Sequence, residues 1–248
     1  MDLPLKKDFS GKLRRSKAVA MNEEQMKLCR AEIKELLKKG LIRKSKSPIA
    51  CFAFYVNKHA EIARGKPRLV VNYKPLNDIL YYDAYPLPKP SIILAQISRS
   101  KIFSKFDLKS GFWQVGIKEE EKWKTAFSIP EGHYEWNIMP FGLINAPSAF
   151  QRIMDETFEG MEEFLKKYID DLLIHSDNIT EHIKYLKIFL CRVKEMGIVL
   201  SESKMKLFRP MIDFLGYNIQ YGSYTVIQRI LNFVDHFPDE IKDKTQLK

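Results

Sequence analysis

Tyr168-Ile169-Asp170-Asp171 places two adjacent carboxylates between two apolar runs of the chain. Phe164-Leu165 precede this stretch and Leu172-Leu173-Ile174 follow it. Apolar runs on both sides of a short acidic step predict a β-hairpin with the acids at or beside its turn. Neighbouring carboxylates repel each other, and a bound cation such as Mg²⁺ relieves that repulsion. A solvated acidic turn is the alternative interpretation of the pair taken alone.

A third acid has a matching context earlier in the chain. The run from Ile102 to Asp107 resembles a strand that ends in an Asp, and Lys109-Ser110-Gly111 follow as a turn. An Asp at a strand end can meet the hairpin acids of a neighbouring strand, although it can also cap a helix or a turn. Three carboxylates from two strand segments together predict a site for two cations, as in in-line displacement at phosphorus.

Five sequence motifs occur in order along the chain. They span residues 66–77, 106–115, 132–152, 168–171 and 214–217. Together they resemble the reverse transcriptases of plant pararetroviruses, the badnavirus, tungrovirus and caulimovirus group, with gypsy-type retrotransposon enzymes as close cousins. The resemblance covers nearly the whole chain from about Met21 onward. It implies a polymerase in which the three acids form the catalytic site.

Local patterns predict a mixture of helices and strands, an α+β class. Helices are predicted from a capping box at Asn22 and Gln25 to Lys39, from Ser91 to Ala95, from Pro147 to Phe158, and from a cap at Thr180 to Gly197. Strands are predicted at 49–57, 67–73, 123–129 and 133–139, the last two forming a hairpin. The resemblance sharpens this to a right-hand polymerase fold, with fingers and palm subdomains and an antiparallel palm sheet packed on helices.

The resemblance also implies how the chain is divided. The implied parts are fingers at 1–86, palm at 87–117, fingers again at 118–145, palm with the catalytic hairpin and primer grip at 146–223, and the start of a thumb or connection at 224–248. Because 31 residues follow Tyr217, we expect the thumb to be largely absent. We likewise expect neither the ribonuclease H nor the protease of a parent polyprotein within this chain.

Specific residues receive roles from the resemblance. The implied catalytic residues and metal ligands are Asp107, Asp170 and Asp171, which would hold two Mg²⁺ ions, with Mn²⁺ as a possible substitute. The implied nucleotide-binding residues are Arg68 and Lys66 at the triphosphate, Phe112 beneath the sugar, Phe141 near the incoming nucleotide, and Lys204 as a general acid. The implied primer grip is Phe214, Leu215, Gly216 and Tyr217. From the residues alone, a Phe at position 112 is more often a core side chain, and residues such as Arg68 and Lys204 are usually on the surface.

Charge and composition agree with a nucleic-acid partner. The chain has a net charge of +10, and residues 1–50 alone hold 14 Lys and Arg against 6 Asp and Glu. A basic segment attracts polyphosphate, although a solvated charged helix or basic tail is the alternative. No uninterrupted run of 18 apolar residues occurs, so no transmembrane helix and no membrane partner are expected. Cys29, Cys51 and Cys191 are scattered, and we expect reduced, buried thiols.

We therefore expect an RNA- and DNA-templated DNA polymerase that copies a viral pregenomic RNA into DNA. Its partners would be an RNA or DNA template with primer, dNTPs, and the ribonuclease H and protease domains of its polyprotein. It would act in the cytoplasm of the host cell, in a virion or replication complex, and the sequence does not indicate an oligomeric state. The alternative is a non-catalytic nucleic-acid-binding scaffold or domesticated copy, which has no reason to keep repelling carboxylates together. An RNA-synthesising polymerase is disfavoured by Phe112, where such enzymes need room for a 2′-hydroxyl.

Overall fold

The computed structural model describes residues 1–6, 19–56 and 67–235. Within these ranges the strands are β1 (Ile42–Lys44), β2 (Cys51–Val56), β3 (Arg68–Val71), β4 (Ile102–Asp107), β5 (Phe127–Ile129), β6 (Gly132–Trp136), β7 (Leu165–Tyr168), β8 (Asp171–Ser176), β9 (Lys206–Arg209), β10 (Met211–Phe214), β11 (Tyr217–Gln220) and β12 (Ser223–Val226). The α-helices are α1 (Glu23–Lys38), α2 (Lys74–Asn77), α3 (Pro90–Ile97), α4 (Ala146–Thr157), α5 (Ile179–Glu195) and α6 (Gln228–Asp235). This mixture confirms the α+β prediction.

The chain divides into two compact units, each built from two stretches of sequence. The first unit contains residues 1–87 and 110–154, and the second contains residues 88–109 and 155–248. Such interleaving means that neither unit is a continuous piece of the chain. The assignment of ranges to fingers, palm and the start of a thumb stays a prediction.

The first unit is built on a mixed sheet with the strand order β1-β6-β5-β2-β3. Strands β2 and β5 run parallel, and the other neighbours are antiparallel. Helix α1 begins at the predicted capping box, because the Asn22 side chain accepts the Gln25 backbone N–H at 2.8 Å and the Gln25 side chain accepts the Asn22 N–H at 3.1 Å. The predicted helix start is therefore confirmed.

The strands of the first unit are shorter than the predicted ranges 49–57, 67–73, 123–129 and 133–139, and the third of them begins four residues late. The hairpin of β5 and β6 is confirmed, but Glu119–Thr125 form a 3₁₀ helix instead of the first part of a strand. The cause is the Thr125 hydroxyl, which donates to the Lys122 carbonyl at 2.7 Å and accepts the Trp136 N–H at 2.9 Å. These side-chain bonds satisfy groups that a strand would pair with its neighbour.

The second unit contains the antiparallel sheet β7-β8-β4-β9 and the antiparallel sheet β10-β11-β12. Alternate side chains of β4 point to opposite faces of the sheet. Phe103 lies in a buried cluster with residues of α3, β8, β10 and β11, whereas the Phe106 ring lies 4.7 Å from the Phe189 ring of α5. Apolar contacts on both faces thus fix the strand that ends at Asp107.

Two smaller predictions about the second unit are wrong. Helix α5 is capped by Asn178, whose side chain accepts the Glu181 N–H at 2.9 Å, so Thr180 lies inside the first turn. All three cysteines are free thiols as expected, but Cys191 is exposed on α5, while Cys29 and Cys51 are buried. Among the described helices, none has the length and apolar character needed to cross a membrane.

Candidate active site

The three predicted acids meet at one end of the β7-β8-β4-β9 sheet. Asp107, the last residue of β4, lies directly opposite Asp171, the first residue of β8. Asp170 occupies the two-residue turn between β7 and β8, because Tyr168 pairs with Asp171. The Leu108 N–H donates to the Asp170 carbonyl oxygen at 3.3 Å and ties this turn to the end of β4.

The turn that presents Asp170 is strained. Ile169 has a φ of 53°, in the left-handed region that a β-branched residue rarely adopts. Such a conformation costs on the order of 1–3 kcal/mol and persists only when the surrounding structure enforces it. Here the pairing of β7 with β8 enforces it, and Asp170 is held at the tip as a result.

Asp170 is in an unfavourable electrostatic environment. Its Oδ1 atom is buried and has no hydrogen-bond partner among the described residues. Burial, together with the charges of Asp107 and Asp171, raises the pKa of Asp170 to about 6, against the lowering effect of Lys204. A buried carboxylate oxygen without a partner is costly, and a hard cation is a partner that would satisfy it. The chemistry of Asp170 therefore suits a divalent metal ion.

The other two carboxylates are paired with lysines. Lys204 Nζ lies 2.9 Å from Asp107 Oδ1, and Lys105 Nζ lies 2.9 Å from Asp171 Oδ1. In the part of the chain that the structure describes, no three His, Cys, Asp or Glu side chains are arranged to hold a metal ion. The site thus brings the acids together, but two of them face lysines and not a common centre. Their assignment as metal ligands stays a prediction.

Sequence reasoning missed Lys105. A signal for it exists, because residues two apart on a strand point to the same face and Lys105 precedes Asp107 by two. A lysine on that face lies diagonally across from Asp171 in the neighbouring strand.

The predicted nucleotide-binding residues of the first unit are only partly described. Phe112 lies in a 3₁₀ turn, and its ring centroid is 5.2 Å from those of Phe141 and Phe150. The backbone of Arg68 opens β3 opposite Val56, whereas the Arg68 side chain and all of Lys66 lie outside the described residues. The structure therefore groups Phe112 with Phe141 and leaves the predicted phosphate contacts untested.

The first unit also contains an aromatic cavity of about 540 Å³. Trp113, Phe127, Trp136 and Phe141 contribute to its lining. Of these, the sequence had singled out only Phe141. Because Phe141 lines the cavity and also packs against Phe112, the cavity adjoins the cluster that contains Phe112.

The predicted primer grip is the hairpin of β10 and β11. Leu215 and Gly216 form its turn with φ values of 51° and 84°, and two left-handed residues are characteristic of a type I′ turn. Phe214 is buried, and Tyr217 packs on the same apolar cluster. A contact with primer stays a prediction for this hairpin.

Residues 56–219 match the family model for reverse transcriptase (RNA-dependent DNA polymerase). The chain belongs to the reverse transcriptase family. The viral relatives confirm the predicted resemblance to pararetroviruses. The chain is 47% identical over 217 residues to the enzymatic polyprotein of cauliflower mosaic virus (strain Strasbourg), covering 88% of this chain and 32% of that protein. It is 43% identical over 239 residues to the genome polyprotein of Petunia vein clearing virus (isolate Shepherd), covering 96% of this chain and 11% of that protein. It thus spans a third or less of these relatives.

Solved structures show the same fold. The foamy viral protease-reverse transcriptase in complex with dsDNA matches with a TM-score of 0.83 and 23% identity, over 97% of this chain and 49% of that chain. The same viral protein in complex with RNA/DNA hybrid matches with a TM-score of 0.80 and 23% identity, over 92% of this chain and 30% of that chain. These matches confirm the right-hand polymerase fold. Enzymes of this family generally depend on divalent metal ions.

Proposed function

We propose that this chain is the polymerase domain of a pararetroviral polyprotein and makes DNA on RNA and DNA templates. The primer 3′-hydroxyl attacks the α-phosphate of a dNTP, and pyrophosphate leaves. The observation that carries this proposal is the meeting of Asp107, Asp170 and Asp171 at adjoining strand ends, with a buried Asp170 oxygen that lacks a partner.

The acids supply oxygen ligands for divalent cations. Asp107 and Asp170 would hold two Mg²⁺ ions, for which Mn²⁺ can substitute, and Asp171 would support the site from the side. When bound, one ion would supply activation of the attacking hydroxyl and the other stabilisation of the leaving oxygen. Asp170 is suited to this task because its raised pKa and unpaired oxygen make it the carboxylate that gains most from a cation.

Other residues of the chain bind and select the nucleotide. Arg68 and Lys66 bind the triphosphate through charge-assisted hydrogen bonds. Phe112 lies beneath the sugar and excludes a 2′-hydroxyl, and Phe141 borders the same position. Lys204, whose ammonium lies 2.9 Å from Asp107, gives a proton to the departing pyrophosphate.

The proposed partners follow from the relatives. The foamy viral structures are complexes with dsDNA and with RNA/DNA hybrid, and we assign a primer–template to this chain by analogy. The hairpin from Phe214 to Tyr217 holds the primer end. Further partners are the ribonuclease H and protease domains of the polyprotein, and synthesis takes place in the cytoplasm of the host cell.

A non-catalytic nucleic-acid-binding scaffold is the second candidate. One observation favours it, namely that Asp107 and Asp171 are each paired with a lysine. An enzyme and a scaffold differ in what they do with dNTPs, because a scaffold binds primer–template without extending it.

Primer extension separates the two candidates. A labelled DNA primer annealed to an RNA or a DNA template is incubated with the purified chain, dNTPs and Mg²⁺, with EDTA in a parallel reaction. We expect extension on both templates with Mg²⁺ and none with EDTA. Binding of both duplexes without extension in Mg²⁺ or Mn²⁺ would instead identify a scaffold.

A further inference from the structure

Lys105 is held in place beside the acids. Its Nζ lies 2.9 Å from Asp171 Oδ1 and 5.5 Å from the centroid of the Phe214 ring. The Lys105 side chain is 21% exposed. The ammonium group is therefore confined between a carboxylate and an aromatic face, where both contacts favour a positive charge.

The two lysines at the site differ in how easily they can leave. The Lys204 side chain is 62% exposed, so its ammonium group is readily hydrated when it leaves Asp107. The Lys105 side chain is far less exposed and lies against the Phe214 ring, so its ammonium group exchanges Asp171 for water less easily. Lys105 is thus the fixed cation of the site and Lys204 the exchangeable one.

The charges at the site do not balance without a further cation. Asp171 is neutralised by Lys105 and Asp107 by Lys204, while Asp170 keeps a buried oxygen that has no partner within the described ranges. A divalent ion that reached Asp171 would lie close to the Lys105 ammonium and would be repelled by it. An ion bound chiefly by Asp170 and Asp107 meets less of this repulsion.

We propose that Lys105 is a built-in counter-cation for Asp171, which competes with divalent cations for that carboxylate and so lowers the metal affinity of the nucleotide-free protein. In the absence of metal it also stabilises the fold by neutralising one of three adjacent acids. Lys105 is accordingly a positioning residue, since it acts through Asp171. This inference rests on the proposed function, in which Asp171 is a metal ligand.

Lys105→Met removes the charge and keeps an unbranched apolar side chain against Phe214. The affinity for Mn²⁺, measured by electron paramagnetic resonance without nucleotide or nucleic acid, should rise by about tenfold because one like charge is removed from the site. The melting temperature should fall in EDTA, and Mg²⁺ should raise it more in the variant than in the wild type. Lys105→Arg keeps the charge and should match the wild type in both measurements.

Two further variants make the test specific. Lys167→Met removes a buried lysine of the same unit, whose Nζ lies 3.2 Å from Asp155 Oδ1. It should lower the melting temperature equally in EDTA and in Mg²⁺ and leave Mn²⁺ affinity unchanged. If Lys105→Met does not fold, the same measurements are made on Lys105→Gln. The glutamine amide keeps a hydrogen-bond donor for Asp171 but carries no charge.

The outcomes separate this inference from the proposed function. If the wild type extends primers and binds Mn²⁺, but Lys105→Met or Lys105→Gln binds Mn²⁺ no more tightly and gains no extra stability from Mg²⁺, the role of Lys105 is wrong. If the wild type neither binds Mn²⁺ nor extends a primer, the proposed function is wrong and this inference is wrong with it.

Discussion

At the level of single residues, Phe112 tests whether the site is built for DNA synthesis. Its ring packs against Phe141 and Phe150 at 5.2 Å, which holds it in one place. If it lies beneath the incoming sugar, Phe112→Val makes room for a 2′-hydroxyl. We expect the ratio of kcat/KM for ribonucleotides to that for deoxyribonucleotides to rise by roughly tenfold or more.

Competition assays with paired dNTP and rNTP substrates measure this ratio. Phe54→Val is a matched control, because Phe54 is a half-buried Phe of β2 in the same unit with no predicted nucleotide contact. An unchanged ratio in Phe112→Val would mean that the ring serves only in packing. A ratio that rises equally in both variants would have the same meaning.

Sequence reasoning was strongest for the acids and weakest for their partners. Asp107 and the Asp170–Asp171 pair are predictable because each adjoins an apolar run that indicates where a strand ends or begins. Lys105 was overlooked because a lysine in a strand is usually a surface residue, and its pairing with Asp171 depends on the register of β4 against β8. Register is set by tertiary structure and is not visible in a single segment.

At the level of secondary-structure elements, one histidine links the strands that carry the acids. His182 of α5 is fully buried, with Nε2 2.7 Å from Ser104 Oγ of β4 and Nδ1 2.8 Å from Ser176 Oγ of β8. The Ser176 hydroxyl donates to the Asn178 carbonyl, so the hydrogen must reside on Nδ1, and Nε2 accepts from Ser104. Ser104 in turn accepts the Phe208 N–H of β9 at 3.1 Å.

This network predicts a large effect for a small change. Ser104→Ala leaves the His182 Nε2 and the Phe208 N–H without their partner, and we expect the free energy of unfolding to fall by about 1–3 kcal/mol. Ser98→Ala is the control, because Ser98 is half-buried and its hydroxyl donates to the Ala95 carbonyl at the end of its own helix. Urea denaturation of both variants measures the difference, and equal stability of Ser104→Ala and Ser98→Ala would contradict the network.

Helix and strand limits show where local patterns suffice. The capping box of α1 is a reciprocal, local signal, and it located the helix start correctly. The cap of α5 was misplaced, although Asn178 and Glu181 have the spacing of a capping residue and its third helical position. The 3₁₀ helix at Glu119–Thr125 was missed because it depends on the Thr125 bond to Trp136, a residue of another element.

At the level of the whole molecule, two buried groups give stability opposite pH dependences. Burial, with the charges of Lys166 and His182, lowers the pKa of His175 to about 4. Unfolded His175 takes up a proton near pH 6.5, so the native state loses stability as the pH falls from about 6.5 towards 4. The pKa of Asp170 is raised to about 6 in the native state. As the pH falls, the native state therefore binds this proton before the unfolded state does, and the native state gains stability over much of the same pH range.

Removing His175 should expose the contribution of Asp170. When the pH is lowered from 7 to 5, we expect the free energy of unfolding to fall by about 2 kcal/mol less in His175→Gln than in the wild type. Denaturant titrations at the two pH values measure this difference. His133→Gln, in the first unit, is the control, and the same pH dependence in the wild type and in His175→Gln would contradict the account.

The order of motifs made the family predictable from sequence, and the matches confirm it. The division of the chain into two interleaved units is a property of the folded molecule. Local patterns mark only one of its limits, because residue 87 lies in the proline-rich stretch 86–90, whereas the limits at residues 109 and 154 coincide with no run of Gly or Pro. The resemblance alone suggested interleaving.

The most direct test of the central claim is the rate of single-nucleotide incorporation by Asp107→Asn and Asp170→Asn. Each substitution removes one negative charge from the acids, and we expect the rate to fall by at least about a thousandfold because metal-assisted phosphoryl transfer has no substitute. Primer–template affinity should stay near that of the wild type, and Asp213→Asn, at an exposed Asp of β10, should stay active. Retained incorporation by Asp107→Asn or Asp170→Asn would contradict the account.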